Sequence, residues 1–369
     1  NDSRKRLVMI KHYEGKLGKF DYDEQEFYLD YGPDGYKHLF YVGTESDGNN
    51  IKIPSGIKIC SYMFNYKYKE VNITSAPTIP DGVEMCLYMF AECESLKTAP
   101  VIPKGVLECS YMFTGCKSLK VAPAIPEGVF YCSYMFEDCI NLETASDIPD
   151  TVEECDHMFD GCTSLKTAPV IPKEVEECDH MFAGCKSLKI APNIPEGIED
   201  CSCMFAGCKS LINPPILPNS VKNCYGIFAG CQKLVSPPII PKGAINCSCM
   251  FNGCESLATP PVIPEGVLDC SSMFEGCIQL EKAPAIPEGV KICSFMFKSC
   301  KKLKYPPDIP SSVKDCVSMF EHCSQLREAV FPIGNYDYAE MYYRCYSLNN
   351  YESLPIIAYF GSVNLHDIE

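Results

Sequence analysis

The apolar positions of this chain fall in a pattern that repeats every 23 residues. In one copy they are Ile198, Cys201, Met204, Phe205, Cys208 and Leu211. From Cys201 to Leu211 the offsets of 0, 3, 4, 7 and 10 are those of one helical face, so each copy is predicted to carry a short helix. Ser or Asp directly after the first cysteine (Ser110, Asp156, Asp179, Ser202) reads as its N-cap. Gly before the second cysteine (Gly115, Gly161, Gly184, Gly207) weakens that helix to one or two turns of α or 3-10 type. The A-P-x-I-P stretch holds too many prolines to donate to a ladder and is predicted extended. The proline-free G-V-x-x-C stretch is where one short parallel strand per turn is expected.

A 23-residue unit cannot close a core alone, but stacked units cover one another's apolar edges. Cysteines at 86, 109, 132, 155 and onward to 316 are each followed seven residues later by another. Degenerate copies flank the series. One lies at Cys60, with Lys67 at the second cysteine position and three extra residues around Tyr68–Asn72. The other is Met341 to Leu348, with Tyr338 at the first cysteine position. The expected fold is therefore an α/β repeat solenoid, a leucine-rich-repeat-like right-handed stack of about twelve turns over residues 51–330. Residues 1–50 read as an N-terminal β-hairpin cap, with Phe27–Tyr31 and Tyr36–Val42 around Gly32-Pro-Asp-Gly35. Residues 331–369 read as a degenerate repeat and C-terminal cap.

Composition narrows the function. The 369 residues carry a formal net charge of −16, which argues against nucleic acid and anionic membrane surfaces as partners. No apolar run approaches the roughly 18 residues of a membrane span. The first stretch, NDSRKRLVMIKHYEGK, has no apolar core, so no signal peptide is visible. Export with an earlier signal removed and a cytoplasmic chain both fit. No phosphate-binding loop, dinucleotide fingerprint or H-E-x-x-H occurs. Asp156-His157 and Asp179-His180 invite a Cys–His–Asp reading, but they are repeat positions with no pocket-forming insertion, and no enzyme is expected.

Twenty-six cysteines in a small secreted protein would suggest disulfides. Two cysteines two helical turns apart sit about 10 Å from each other, beyond disulfide reach. Small buried hydrophobes are the first reading, bonds between neighbouring turns the second, and zinc the third, because C-x-x-C spacing is absent. Cys203 and Cys249, each in a C-S-C, are the thiols expected to be accessible; two repeats apart, they are not expected to bond each other.

Outward positions form ladders, where function is expected. Tyr62, Tyr88, Tyr111 and Tyr134 recur two residues after the first cysteine, followed by His157 and His180. Aligned aromatics suit a protein or glycan ligand, and they also stabilise a sheet edge. Glu153 and Glu154, Glu176 and Glu177, and Glu199 and Asp200 form an acidic ladder, with Asp156 and Asp179 close by. It reads either as a Ca2+ or basic-ligand site or as a solvated acidic face. No cofactor is otherwise expected. Lys97, Lys120, Lys166 and Lys189 form a basic ladder, so side-by-side self-association is also conceivable.

Met181-Phe-Ala-Gly-Cys-Lys-Ser-Leu188 and Ile194-Pro-Glu-Gly-Ile198 resemble BspA-type leucine-rich repeats and the Met-Phe-Gly-Cys repeats of mycoplasmal surface lipoproteins. The resemblance spans residue 51 to about 350. It departs by placing Cys where those repeats usually have Ile or Met, and Ala-Pro where they usually have one aliphatic residue. It implies a surface-displayed solenoid used for adhesion or partner binding, with extracellular or cell-surface localisation. A non-enzymatic binding protein is the leading reading, and a structural rod or fibre-forming surface component the second.

Overall fold

A computed structural model describes residues 21–24, 26–65, 73–331, 336–349 and 354–360. Lys67 and Tyr68–Asn72 lie outside the described residues, as do parts of the two expected caps. The chain divides into two compact units, Asn1–Glu177 and Cys178–Glu369.

Within each unit the repeat builds a hydrogen-bonded stack without the predicted helix. The turn from Cys201 shows how. The amides of Cys201, Cys203, Phe205 and Gly207 donate forward to the carbonyls of Asn223, Tyr225, Ile227 and Ala229 in the next turn, at 3.1, 2.8, 3.0 and 2.6 Å. The amides between them, on Met204, Ala206 and Cys208, bond back three residues to Cys201, Cys203 and Phe205 at 3.2, 2.9 and 3.1 Å. Leu211 likewise donates to Cys208 at 3.0 Å. The segment is thus a run of consecutive β-turns. Half of its donors serve the neighbouring turn, which no α-helix allows. Among the described residues the only helical elements are a 3-10 turn, Gly48–Asn50, and a short helix α1, Ile356–Phe360.

Two positions per turn make this chain reversal. The residue two after the first cysteine has φ between +52° and +62°, whether it is Tyr62, His157, Cys203 or Phe295. The residue before the second cysteine also lies in the left-handed region, and there the sequence supplies Gly115, Gly161 and Gly207 at φ +71° to +73°. Those glycines do not weaken a helix; they close a turn that only glycine enters without strain. The expected N-cap is replaced in the same way. The side chain preceding the first cysteine accepts from the amide two residues on: Glu108 from Ser110 at 2.7 Å, Asp200 from Ser202 at 2.8 Å, Asp269 from Ser271 at 2.8 Å. Asp and Asn suit that local bond.

The parallel pairing lies in G-V-x-x-C, reduced to one residue per turn. Met85, Glu108, Tyr131, Glu154 and Glu177 bridge in succession in the first unit, and Asp200, Asn223, Asn246 and Asp269 in the second. A second column of bridges, at the residue before the alanine of the extended segment (Val121, Thr144, Thr167), was not anticipated.

Between these columns lies the core. Val106, Cys109, Met112, Phe113, Cys116 and Leu119 are fully buried, and their counterparts recur turn after turn. Each Phe, Leu or Met so buried contributes about 1.5–3 kcal/mol. The phenylalanine rings stack in register: Phe90 on Phe113 at 5.7 Å and 4°, and in the second unit Phe182 on Phe205 at 5.8 Å and 2°. No disulfide joins any of the 26 cysteines in this structure, and all but Cys203 and Cys249 are buried.

At the start of the first unit, β1 (Phe27–Tyr31) and β2 (Lys37–Tyr41) form an antiparallel hairpin. Its free edge joins the stack, with the Tyr41 amide donating to the Met63 carbonyl at 2.7 Å and the Tyr41 ring 5.3 Å from Phe64.

Candidate binding face

The tyrosine ladder is real and lies wholly in the first unit. Each ring projects from a left-handed residue at the same place in its turn, so the rings are superposed by the repeat itself. Tyr62 and Tyr88 stack at 5.1 Å, Tyr88 and Tyr111 at 4.2 Å, Tyr111 and Tyr134 at 4.5 Å, with planes 6° to 13° apart. His157 continues the column, 4.4 Å from Tyr134 and 7° from parallel. His38 of β2 packs edge-on against Tyr62 at 5.0 Å. Tyr62 is thereby buried in a cluster with Phe40 and Leu87, so it offers no surface to a ligand. Tyr88, Tyr111 and Tyr134 are half-buried. Their faces cover one another, so what they present is a row of ring edges rather than open ring planes.

Carboxylates stand beside the end of this column. Glu154 is buried, Glu153 half-buried, and Glu176 and Glu177 are exposed. Oxygens of Glu154, Asp156 and Glu177 lie within 4.8 Å of one another. The Ser133 hydroxyl donates to Asp156. Three carboxylates are a partial donor set for Ca2+, which takes about six to eight oxygens. Glu199 and Asp200 belong to the second unit, where each is engaged: Glu199 with Lys222 at 2.5 Å, Asp200 with Ser202 and with the Asn223 amide group at 2.9 Å. The acid directly before the first cysteine of that turn therefore serves the backbone.

A second group was missed. Glu137, His157 and Asp160 bring ligand atoms within 4.8 Å, with His157 Nδ1 2.9 Å from Asp160 Oδ2. Burial, then the charges of Asp138 and Asp160, push the Glu137 carboxyl above its ordinary range. The signal was available: Glu137 and Asp160 are 23 residues apart and so share one repeat position. Also missed was an apolar row in the second unit, Ile216, Ile239 and Val262, which are 82%, 89% and 87% exposed. Each sits between prolines on the edge that the extended segment makes. Of the lysine ladder, Lys166 pairs with Glu143 of the preceding turn at 2.5 Å, and Lys117, outside that ladder, pairs with Glu94 at 2.6 Å in the same way. No helix among the described residues is long and apolar enough to cross a membrane.

The pattern of the BspA type leucine rich repeat region, in six copies, matches residues 40–166, 83–212, 129–258 and 250–363. No curated protein and no solved structure matches the chain. The family match spans the whole stack, from β2 to the last turns, and agrees with the 23-residue register seen in both sequence and structure: this chain belongs to the BspA-type leucine-rich repeat family.

Proposed function

We propose that this is a non-enzymatic binding or adhesion protein of the cell surface, one that recognises a partner through outward positions of its N-terminal and central turns. The family is one of binding and adhesion repeats, commonly surface-associated. The observation that carries the finer reading is the adjacency of an aromatic column to a carboxylate group: Tyr134 stacks on His157, whose neighbour in the chain is Asp156. Ring edges beside carboxylates favour a protein with basic and apolar contacts over a glycan, whose sugar faces call for open aromatic planes. The binding residues are then Tyr88, Tyr111, Tyr134, Glu153, Glu154, Glu176 and Glu177.

The test is adhesion of the purified protein to a panel of immobilised extracellular proteins and glycans, compared with Tyr111→Ser/Tyr134→Ser. Serine occupies the same left-handed position at Ser272 and Ser318, so the variant keeps the backbone. Selective capture of a protein that the variant loses at least tenfold, with unchanged melting temperature, is the expected result. Equal capture by the variant, or no capture by either, overturns the proposal.

A second reading, a self-associating structural component, is favoured by the exposed Ile216, Ile239 and Val262. Sedimentation across concentration separates the two, since a strict monomer at high concentration removes it.

A further inference from the structure

In five successive turns of the second unit the position two residues after the first cysteine is held by Cys203, Gly226, Cys249, Ser272 and Phe295, all at φ +52° to +58°. Register is fixed by the backbone. The Cys203 amide donates to Tyr225 at 2.8 Å and the Gly226 amide to Ser248 at 2.9 Å, so Cys203 and Cys249 stand one turn to either side of Gly226. Gly226 has no side chain, and the column is open there. Cys203 leans into the opening: its Sγ lies 3.0 Å from where a Cβ on Gly226 would be. The hydroxyl of Tyr225, next in the chain to Gly226, lies near enough to Cys249 and Cys203 for their charges to act on it, and the Cys249 thiol is shared between Tyr225 and Ser272 of the following turn. Cys203 and Cys249, one turn to either side of this opening, are the only two of the 26 cysteines that are not buried.

A disulfide does not fit this arrangement. Turns stack about 4.8 Å apart, so two turns separate the Cα atoms by about 9.6 Å, beyond the roughly 7 Å limit for a direct bond. An ion fits better. Two metal–thiolate bonds of about 2.3 Å each span about 4.6 Å between sulfurs, a gap closed when both side chains lean over Gly226 as Cys203 does. We propose that Cys203 and Cys249 form a two-thiolate site for a soft, low-coordinate cation of the copper(I) class, bridged across Gly226 beside the Tyr225 hydroxyl. Thiolates select soft ions, and two ligands are too few for the tetrahedral preference of zinc. Each thiol releases its proton to solvent on binding, so one ion displaces two protons and affinity rises with pH. Asp269 and Glu275, whose charges already act on Cys249, add an attractive field for a cation.

Silver(I), which is redox-inert under these conditions, is the probe. Calorimetric titration of the native full-length chain is expected to show one tight ion per chain, with the circular dichroism unchanged through the first equivalent. Cys203→Ser and Cys249→Ser are each expected to abolish that site, because both sulfurs are needed. Gly226→Ser keeps both thiols and adopts a conformation that Ser272 already holds in the same column; by filling the opening it is expected to weaken binding at least tenfold. Two independent ions, each lost with one cysteine, would overturn the proposal. So would single-cysteine variants that bind as tightly as the native chain, or an unaltered affinity in Gly226→Ser.

Discussion

The Cys116 thiol donates to the Phe90 carbonyl of the preceding turn at 3.2 Å, and that same carbonyl accepts the Cys93 amide at 3.1 Å. The arrangement recurs at Cys139 with Phe113, at 3.1 Å, and in the second unit at Cys231 with Phe205, at 3.2 Å. A second cysteine in each turn is therefore more than a small hydrophobe: it closes the spare lone pair of a buried carbonyl while filling the space behind the ring stack. Cys116→Ala removes both contributions and is expected to cost about 1–3 kcal/mol in urea unfolding. A cost below about 0.5 kcal/mol would show that the thiol bond contributes nothing.

Alkaline sensitivity follows from the same burial. Desolvation raises the thiols of Cys93, Cys231 and Cys270 from 9.0 in an open chain to about 12, and it raises those of Cys86, Cys109 and Cys116 well above their ordinary value. The folded state resists deprotonation and the unfolded state does not. Stability is thus complete below pH 9 and lost as pH rises from there toward the folded values. Each such thiol removes about 1.4 kcal/mol per pH unit in that window. Melting temperature is expected to be level from pH 7 to 8.5 and to fall steeply above 9. A level curve through pH 10.5 would contradict the buried-thiol account.

At the other end of the scale, His38 is sensitive to acid. Burial lowers its pKa below 6.5, only partly offset by Asp34, whose carboxylate lies 3.0 Å from Nε2. Its Nδ1 is buried with no hydrogen-bond partner. Below pH 6.5 an unfolded chain takes up the proton and the docked hairpin does not, so this contribution is present above 6.5 and lost as pH falls through the folded value. NMR titration should place the His38 midpoint below 6.5, with the contact to Tyr62 weakening on protonation. His38→Phe should remove the acid dependence of that contact. A midpoint at or above 6.5 would reverse the sign.

Opposite effects are expected at the two left-handed positions. Gly253 has φ +70° and room for a Cβ, whose nearest neighbours would be Gly230 atoms 3.6–3.7 Å away, so Gly253→Ala tests backbone strain alone. It should cost about 1–2 kcal/mol. Ser272, at φ +52°, already bears that strain. Ser272→Gly should stabilise by roughly 0.5–1 kcal/mol, the relief being partly offset by a more flexible unfolded chain. Equal signs for the two variants would remove the turn geometry as their cause.

The stack and its core were legible because a 23-residue period leaves few alternatives. Ile198, Cys201, Met204, Phe205, Cys208 and Leu211, picked from their recurrence, are all fully buried. The pairing in G-V-x-x-C was readable because that stretch is free of proline, whereas the second column, at Val121, Thr144 and Thr167, carries no such signal. The helix was misread for a physical reason. Apolar residues at offsets of 3 and 4 describe a helical face, but successive three-residue reversals return side chains to one side at the same spacing. What distinguishes them is the left-handed residue, and tyrosine, histidine or cysteine at Tyr88, His157 and Cys203 gives no sign of it. Of the two readings of the tyrosines, recurrence could reveal only their alignment, whereas the stacking distance of 4.2–5.1 Å that covers the ring faces belongs to the backbone spacing.

The left-handed residue after each first cysteine carries one further implication. Tyrosine, histidine, cysteine, glycine, serine and phenylalanine all occupy it, at φ values within about ten degrees of one another (+52° to +62°). The backbone there is held by its neighbours above and below, so the identity of the side chain is uncoupled from the fold. The column behaves as a strip of interchangeable characters on a fixed carrier. Exchanging whole turns between copies rewrites what is displayed while leaving the carrier intact, so a chain of this design can alter its recognition by shuffling units rather than by remodelling a site.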